Sequence, residues 1–323
     1  MDKKMSEHGV VDSPPSVSPQ AIGSVKDIFG SGGEVSIWDF STANMSKESR
    51  IATVQKVASI CFQSEVKVGT SALYDKLMAE SLGLPSSSFE FVPILLREDD
   101  IELIHSSYTN GAIGGDENFF QPPRTEKYGI SIVHKGKVYL LTNLRALLYD
   151  IAIINASRDL DDQIDPSKNF FNSDEQEMGI ISQNFIVFNT KIDIVTARQF
   201  MRHRTSWQEL SRRYVSGKKV PFEVYLTDDI IHSEANVIVN KQVSLRAVDL
   251  VMICIEMYDA LIDDGIKPQD ARRIIPQGAM TQVWSAWLKP TFDDMVELRS
   301  ATKAQWEVRT LAKTMSGLVE LTR

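Results

Sequence analysis

The chain has 323 residues, 43% apolar and 24% charged, with 35 Lys+Arg against 43 Asp+Glu and a formal charge of -8. That much apolar sequence can bury one large core or two modest ones, while the acidic balance argues against general affinity for DNA or RNA, which needs a basic surface. No apolar run reaches the length of a membrane span, and the start MDKKMSEHGVVDSPPSVSPQ lacks the apolar stretch of a secretory signal. Only two cysteines occur, Cys61 and Cys254, far apart and in apolar contexts. They read as buried thiols of a reducing compartment, so the expected location is cytoplasmic and no metal site is expected.

Residues 1–33 are rich in Ser, Pro and Gly without apolar periodicity and read as a disordered tail, with one domain following over 34–323. EVSIWDF (34–40) alternates as a strand does. In 46–62, Ile51, Val54, Val57, Ala58 and Cys61 recur at helical spacing behind Ser46 and Glu48, a helix start. A short helix is predicted over 72–83, then a loop running into a strand through SSSFEFVPILL. Residues 97–135, acidic and then Gly- and Pro-rich, read as a long loop inside an insertion of about 97–182. Within it, GKVYLLTNLRALLYDIAIINA passes from strand to helix, and DLDDQIDPSKNFFNSDEQE reads as a second acidic loop.

QNFIVFNTKIDIVTARQFMRHR begins as a strand and turns helical near Ile194, while TSWQELS reads as a loop. Residues 244–265 place Leu245, Val248, Met252, Ile255, Tyr258 and Ile262 on one stripe and end at Gly265. Residues 303–315 place Ala304, Val308, Leu311 and Met315 on another. Strands and helices without regular βαβ alternation indicate an α+β fold, a mixed sheet with long helices.

The stretch RQFMRHRTSWQELSRRY (198–214) holds five arginines and a histidine but one glutamate. It fits a solvated helix face, a nucleic-acid patch with Trp207 and Tyr214 stacking on bases, or a site for small anions. Were 194–203 helical, Gln199, Arg202 and His203 would share one side. Arginine rather than lysine favours forked recognition of phosphate, with Ser211 and Arg213 as donors. Downstream, QDARRIIPQGAMTQ carries Arg272 and Arg273, and MVELRSATKAQWEVR carries Arg299 between two helices.

RHRTSWQELSRRY resembles the signature of the flavin-dependent thymidylate synthases, the ThyX family: Arg-His-Arg, a spacer, then Ser-x-Arg-Tyr. ARRIIPQGAMTQ, LRSATKAQWEVR, ASICFQSE and SSSFEF resemble further family segments in the same order, so the likeness covers roughly 46–96 and 183–318. The resemblance implies a homotetramer with active sites between subunits. It implies conversion of dUMP to dTMP by a methyltransferase that takes a one-carbon unit from methylenetetrahydrofolate and a hydride from FAD reduced by NADPH. By position, Gln199, Arg202, Glu209, Leu210, Ser211, Arg212, Arg213 and Arg272 would hold dUMP. Arg299 would activate the uracil, and Ser87, Glu90, Arg202, His203, Arg204 and Glu209 would contact the flavin.

Four departures stand beside this likeness. The spacer between Arg204 and Ser211 is one residue shorter than the common pattern. The family's usual histidine falls near Pro85. Residues 97–182 are inserted. Leu288, Pro290 and Asp294 replace the Asn, Arg and Asn that usually face the dinucleotide, exchanging donors for an apolar group, a residue without N–H, and an anion. The sequence therefore keeps the pyrimidine side of the site and changes the flavin side. Binding of FAD by other residues, action on another pyrimidine nucleotide, and nucleotide binding without flavin chemistry all fit that pattern.

Overall fold

The computed structural model describes residues 19–30, 32–63, 71–79, 86–109, 122–156, 158, 162–165, 170, 174–239 and 243–323. Strand β1 (Gln20–Lys26) turns into β2 (Glu34–Asp39), followed by helices α1 (Lys47–Phe62) and α2 (Ala72–Ala79). A 3-10 turn over Ser87–Phe91 leads to β3 (Pro93–Arg97), α3 (Glu98–Thr109), α4 (Arg124–Lys127), β4 (Ile130–His134), β5 (Lys137–Asn143) and α5 (Leu144–Ala156). Next come α6 (Glu175–Asn184), β6 (Phe185–Asp193), α7 (Ile194–Phe200), β7 (Ser206–Glu209), α8 (Asp228–Ile231), β8 (Asn236–Val239) and β9 (Val243–Arg246). The chain closes with α9 (Ala247–Asp263), α10 (Pro268–Ala271), β10 (Met280–Leu288), α11 (Lys289–Ser300) and α12 (Trp306–Thr322).

Five strands form the main sheet in the order β1-β2-β6-β10-β7, β3-β5-β4 form a second sheet, and β8 pairs with β9. Among the described residues every pairing is antiparallel, in keeping with the expected α+β class but not with the expected mixed sheet. Side chains alternate across a strand, and the two faces of the main sheet bury two separate cores. Val187, Trp284 and Ala286 face α1, α5 and the smaller sheet, whereas Ile186, Phe188, Val283 and Trp287 face α7, α11 and α12. A sheet buried on both faces reads as a nearly continuous apolar run, as FIVF in β6 does.

The segment expected to be a loop-rich insertion is built into this body. Its α3 starts with Glu98, Asp99 and Asp100, acidic residues that suit a helix N-terminus. Arg97 grips the buried Glu177 through two bonds of 2.6 and 3.0 Å. Fully buried Asp150 accepts from the amides of Arg124 and Thr125 at 2.9 and 2.8 Å and from Tyr108 at 2.6 Å, locking α4 and α3 onto α5.

Several expectations are corrected. Residues 20–26 of the supposed tail pair with β2; the strand is almost entirely exposed, so no apolar pattern announced it. Gly33, at φ 83, sits where a Cβ would fall 2.7 Å from Ile28, so the turn between these strands needs glycine. Residues 97–135 contain α3, α4 and β4 rather than one loop. TSWQELS contains β7, whose ladder to β10 outweighs its weak local pattern. Helix α7 ends at Phe200, short of Arg202 and His203. Of the stripe assigned to 244–265, only Tyr258 is buried. Residues 1–18, 80–85 and most of 159–173 lie outside the described residues.

Trp287 lies fully buried at the junction of β10, β7 and α11, edge-on to Trp207 and Phe292 at 5.2 and 6.2 Å between centroids. Its indole N–H donates to Ser285 Oγ at 2.8 Å. Trp287→Ala is expected to destabilise the fold by about 3–5 kcal/mol. Urea unfolding followed by circular dichroism checks this, and a loss of less than about 1 kcal/mol would contradict it.

Candidate active site

The arginine-rich stretch is laid out by two ordinary devices. Asp193 caps α7, accepting from the Thr196 amide at 3.0 Å. After the helix stops, a turn carries the chain into β7, where residues alternate between sheet faces. Gln208 points to α1 and the Ser87–Phe91 turn, accepting from Ser87 Oγ at 2.7 Å and donating to Cys61 Sγ at 2.6 Å. Glu209 points the other way and accepts from Thr281 Oγ1 at 2.9 Å.

Arg299, in the last turn of α11, reaches back to this turn. Its Nε donates to His203 Nε2 at 2.9 Å, and its Nη2 donates to the Gln199 carbonyl at 2.9 Å. Gln199 is held in turn by a 2.6 Å bond from its side-chain amide to Gln305. Gln199, His203 and Arg299 therefore meet although α7 ends before His203. The guanidinium of Arg299 lies below the ordinary arginine range, first because of burial and then because of nearby Arg202; it nevertheless stays charged. His203 is pushed below its ordinary 6.5 by burial and by Arg299. As acceptor at Nε2, a neutral His203 carries its proton on Nδ1.

A second group forms around Glu209. Burial raises its carboxyl above the ordinary glutamate value, outweighing the opposing pull of Thr281, Arg198 and Arg272. Arg198 and Thr281 were not among the residues singled out from sequence. Arg198 lay in plain view within the motif; Thr281 became a partner only through the register of β10 against β7.

Other expected residues stand apart. Leu210 is buried, and its amide donates to the Gln282 carbonyl at 2.8 Å. Arg212 donates to the carbonyls of Val220 at 2.5 Å and Pro221 at 3.5 Å and lies 4.1 Å over the Phe222 ring, so its guanidinium holds a turn together. Arg213 lies exposed beside Tyr214, and Arg272 is exposed with one bond to the Gln269 carbonyl. Among the described residues, no hydrogen bond joins Ser211 or Arg213 to the Arg299 group. Trp207 is packed on Trp287 and donates to the His203 carbonyl at 3.2 Å, which ties it to the fold rather than leaving it open for stacking on a base.

The expected flavin residues Glu90 and Arg204 line a cavity of about 770 Å³, within the range typical of ligand sites. Arg145 ion-pairs with Glu90 at 2.5 Å. Leu288 also lines this cavity, beside the first turn of α11, where Pro290 sits. Asp294 is exposed on the same helix. Among the described residues, no group of three His, Cys, Asp or Glu side chains could hold a metal ion, and no helix is long and apolar enough to cross a membrane.

Clustered guanidiniums around His203, next to a large cavity, form a positively charged site suited to anions. Residues 170–321 match the family model described as thymidylate synthase complementing protein. The flavin-dependent thymidylate synthase of Geobacter sulfurreducens is 31% identical over 130 residues, covering 40% of this chain and 53% of that protein. That of Thermosipho africanus is 30% identical over 145 residues, 41% of this chain and 61% of the relative. That of Aquifex aeolicus is 30% identical over 146 residues, 42% and 45%. The chain thus spans about half the length of the curated relatives it matches. Over this C-terminal stretch the chain is similar to flavin-dependent thymidylate synthases.

With its pKa depressed, His203 is neutral in the folded protein above 6.5, and the Arg299 bond is intact there. Below 6.5 the unfolded chain takes up the proton first, so this contribution to stability is lost as pH falls from 6.5 through the folded value. Imidazole ¹⁵N spectra are expected to show the Nδ1–H tautomer at pH 7.5 and a titration midpoint below 6.5. A midpoint above 6.5 would contradict the assignment.

Proposed function

We propose that the protein is a flavin-dependent thymidylate synthase that methylates dUMP reductively to dTMP, with methylenetetrahydrofolate and NADPH as co-substrates. The observation that carries this is the placement of Arg299. Two of its nitrogens are fixed by Gln199 and His203, while its Nη1 has no partner among the described residues. A fixed cation against a uracil stabilises negative charge on the ring and so makes C5 nucleophilic. Such a preorganised charge acts most strongly in the transition state, where the ring charge develops.

No thiol is needed on this route. Cys61 is pushed above the ordinary thiol value by burial, despite its bond from Gln208, and is therefore protonated at neutral pH. Both cysteines are unpaired, which fits a cytoplasmic setting. FAD, when bound, supplies the hydride that originates from NADPH. The cavity beside Arg204 fits such a group in size and charge, since Arg124, Lys127, Arg145 and Arg204 all line it.

Phosphate recognition by Ser211, Arg213 and Arg272 is part of the same proposal. Helix α9 supports assembly, leaving Val248 and Met252 exposed on one side and Leu250, Ile253 and Met257 exposed on the other. Exposed apolar surface of that kind is usual for an interface between subunits. A homotetramer follows the family resemblance.

Formation of dTMP from dUMP is expected in the presence of FAD, NADPH and methylenetetrahydrofolate. Arg299→Ala should lower turnover by about 100-fold or more with an unchanged circular dichroism spectrum. Wild-type turnover in that variant would overturn the role of Arg299.

A further inference from the structure

The cavity of about 770 Å³ has two unlike walls. One comes from the motif and the start of α11 and carries Arg204, Ser206 and the apolar Leu288. The other comes wholly from the inserted segment and carries Arg124, Lys127 and Arg145, with Tyr128 and Tyr149. Four cationic side chains thus face one space whose lining holds a single carboxylate, Glu90, already joined to Arg145.

The inserted wall is a fixed structure. Asp150 binds the first amides of α4, so Arg124 and Lys127 are held against α5. The two oxygens of Asp150 are occupied by those amides and by Tyr108, and the Arg124 guanidinium lies over the Tyr149 ring, 4.2 Å from its centroid. Neither the Lys127 ammonium nor the Arg204 guanidinium has a hydrogen bond or ion pair among the described residues, and Lys127 Nζ lies 5.7 Å from the centroid of the Tyr128 ring. Uncompensated like charges lining one cavity repel each other until an anion enters. Tyr128 is 46% exposed beside the Lys127 ammonium, which places an aromatic ring and a cation together at the cavity.

We propose that this cavity binds the diphosphate of an adenine dinucleotide, with Arg124, Lys127 and Arg204 contacting the phosphates and Tyr128 covering a ring. The proposal rests on the flavin reading above and gives the inserted segment a role in binding. From across the cavity it supplies the cationic donors that Leu288, Pro290 and Asp294 do not supply. FAD and NADPH share the diphosphate chemistry. FAD is the occupant expected here, because Arg204 adjoins the His203–Arg299 group.

The full-length protein is titrated with FAD, riboflavin, NADPH, ADP and dUMP by calorimetry, as wild type, Lys127→Gln and Arg124→Gln/Lys127→Gln. FAD is expected to bind at least about tenfold more tightly than riboflavin, which lacks phosphate, and more weakly as salt rises. Each lost charge-assisted contact should weaken FAD by about tenfold, while dUMP affinity stays at its wild-type value. Lys127 is exposed and lies outside both cores, so its variant tests binding even if the double variant folds poorly. FAD binding that is equal in wild type and Lys127→Gln would overturn the proposal. A stronger loss of NADPH than of FAD would make NADPH the occupant and overturn the assignment to FAD. If the wild type binds no FAD, the flavin reading fails by itself, and ADP then decides the cavity. ADP binding that Lys127→Gln weakens upholds a diphosphate site, and absence of ADP binding ends it.

Discussion

Strand β10 pairs with β6 along nine residues and with β7 along four, and this double pairing sets where the charged groups of the site lie. Its register opposite β7 brings Thr281 to Glu209. Its far end runs directly into α11, whose last turn swings Arg299 back to the segment between α7 and β7. A one-residue slip would send every side chain of the strand to the other face, moving Trp284 and Trp287 between cores and separating Arg299 from His203. The core and the site are therefore specified by the same ladder.

Electrostatics follow from that placement. An acidic chain concentrates guanidiniums around two partly buried groups: exposed Arg202 beside Arg299, and exposed Arg198 and Arg272 around Glu209. His203 is kept neutral and serves as an acceptor, so it orients Arg299 without adding a further charge. A ligand that brings negative charge removes the repulsion among these cations.

Much of this was legible in the sequence, and what was missed has physical causes. The apolar run of β6 and the spacing in α1 and α12 announce themselves because burial imposes their patterns, whereas β10 was not read as a strand. Gln199, His203 and Arg299 were grouped by motif resemblance, and the fold brings them into direct contact. The strand β7 was missed because SWQE has little pattern of its own and takes its form from β10. Helix α4 is four residues long and held by Asp150 from another element, so its contribution to the cavity appears only in three dimensions. Of the stripe read on α9, the single chain buries Tyr258 fully and leaves Val248 and Met252 exposed.

The central claim is that Arg299, fixed by Gln199 and His203, faces the pyrimidine ring of a bound nucleotide. A crystal structure of the protein with dUMP and FAD tests it most directly. The account predicts a uracil carbonyl oxygen or ring nitrogen within about 2.7–3.2 Å of the free nitrogen of Arg299, with the bonds to His203 and Gln199 retained. A uracil bound away from Arg299, or an Arg299 released from both partners, would contradict it.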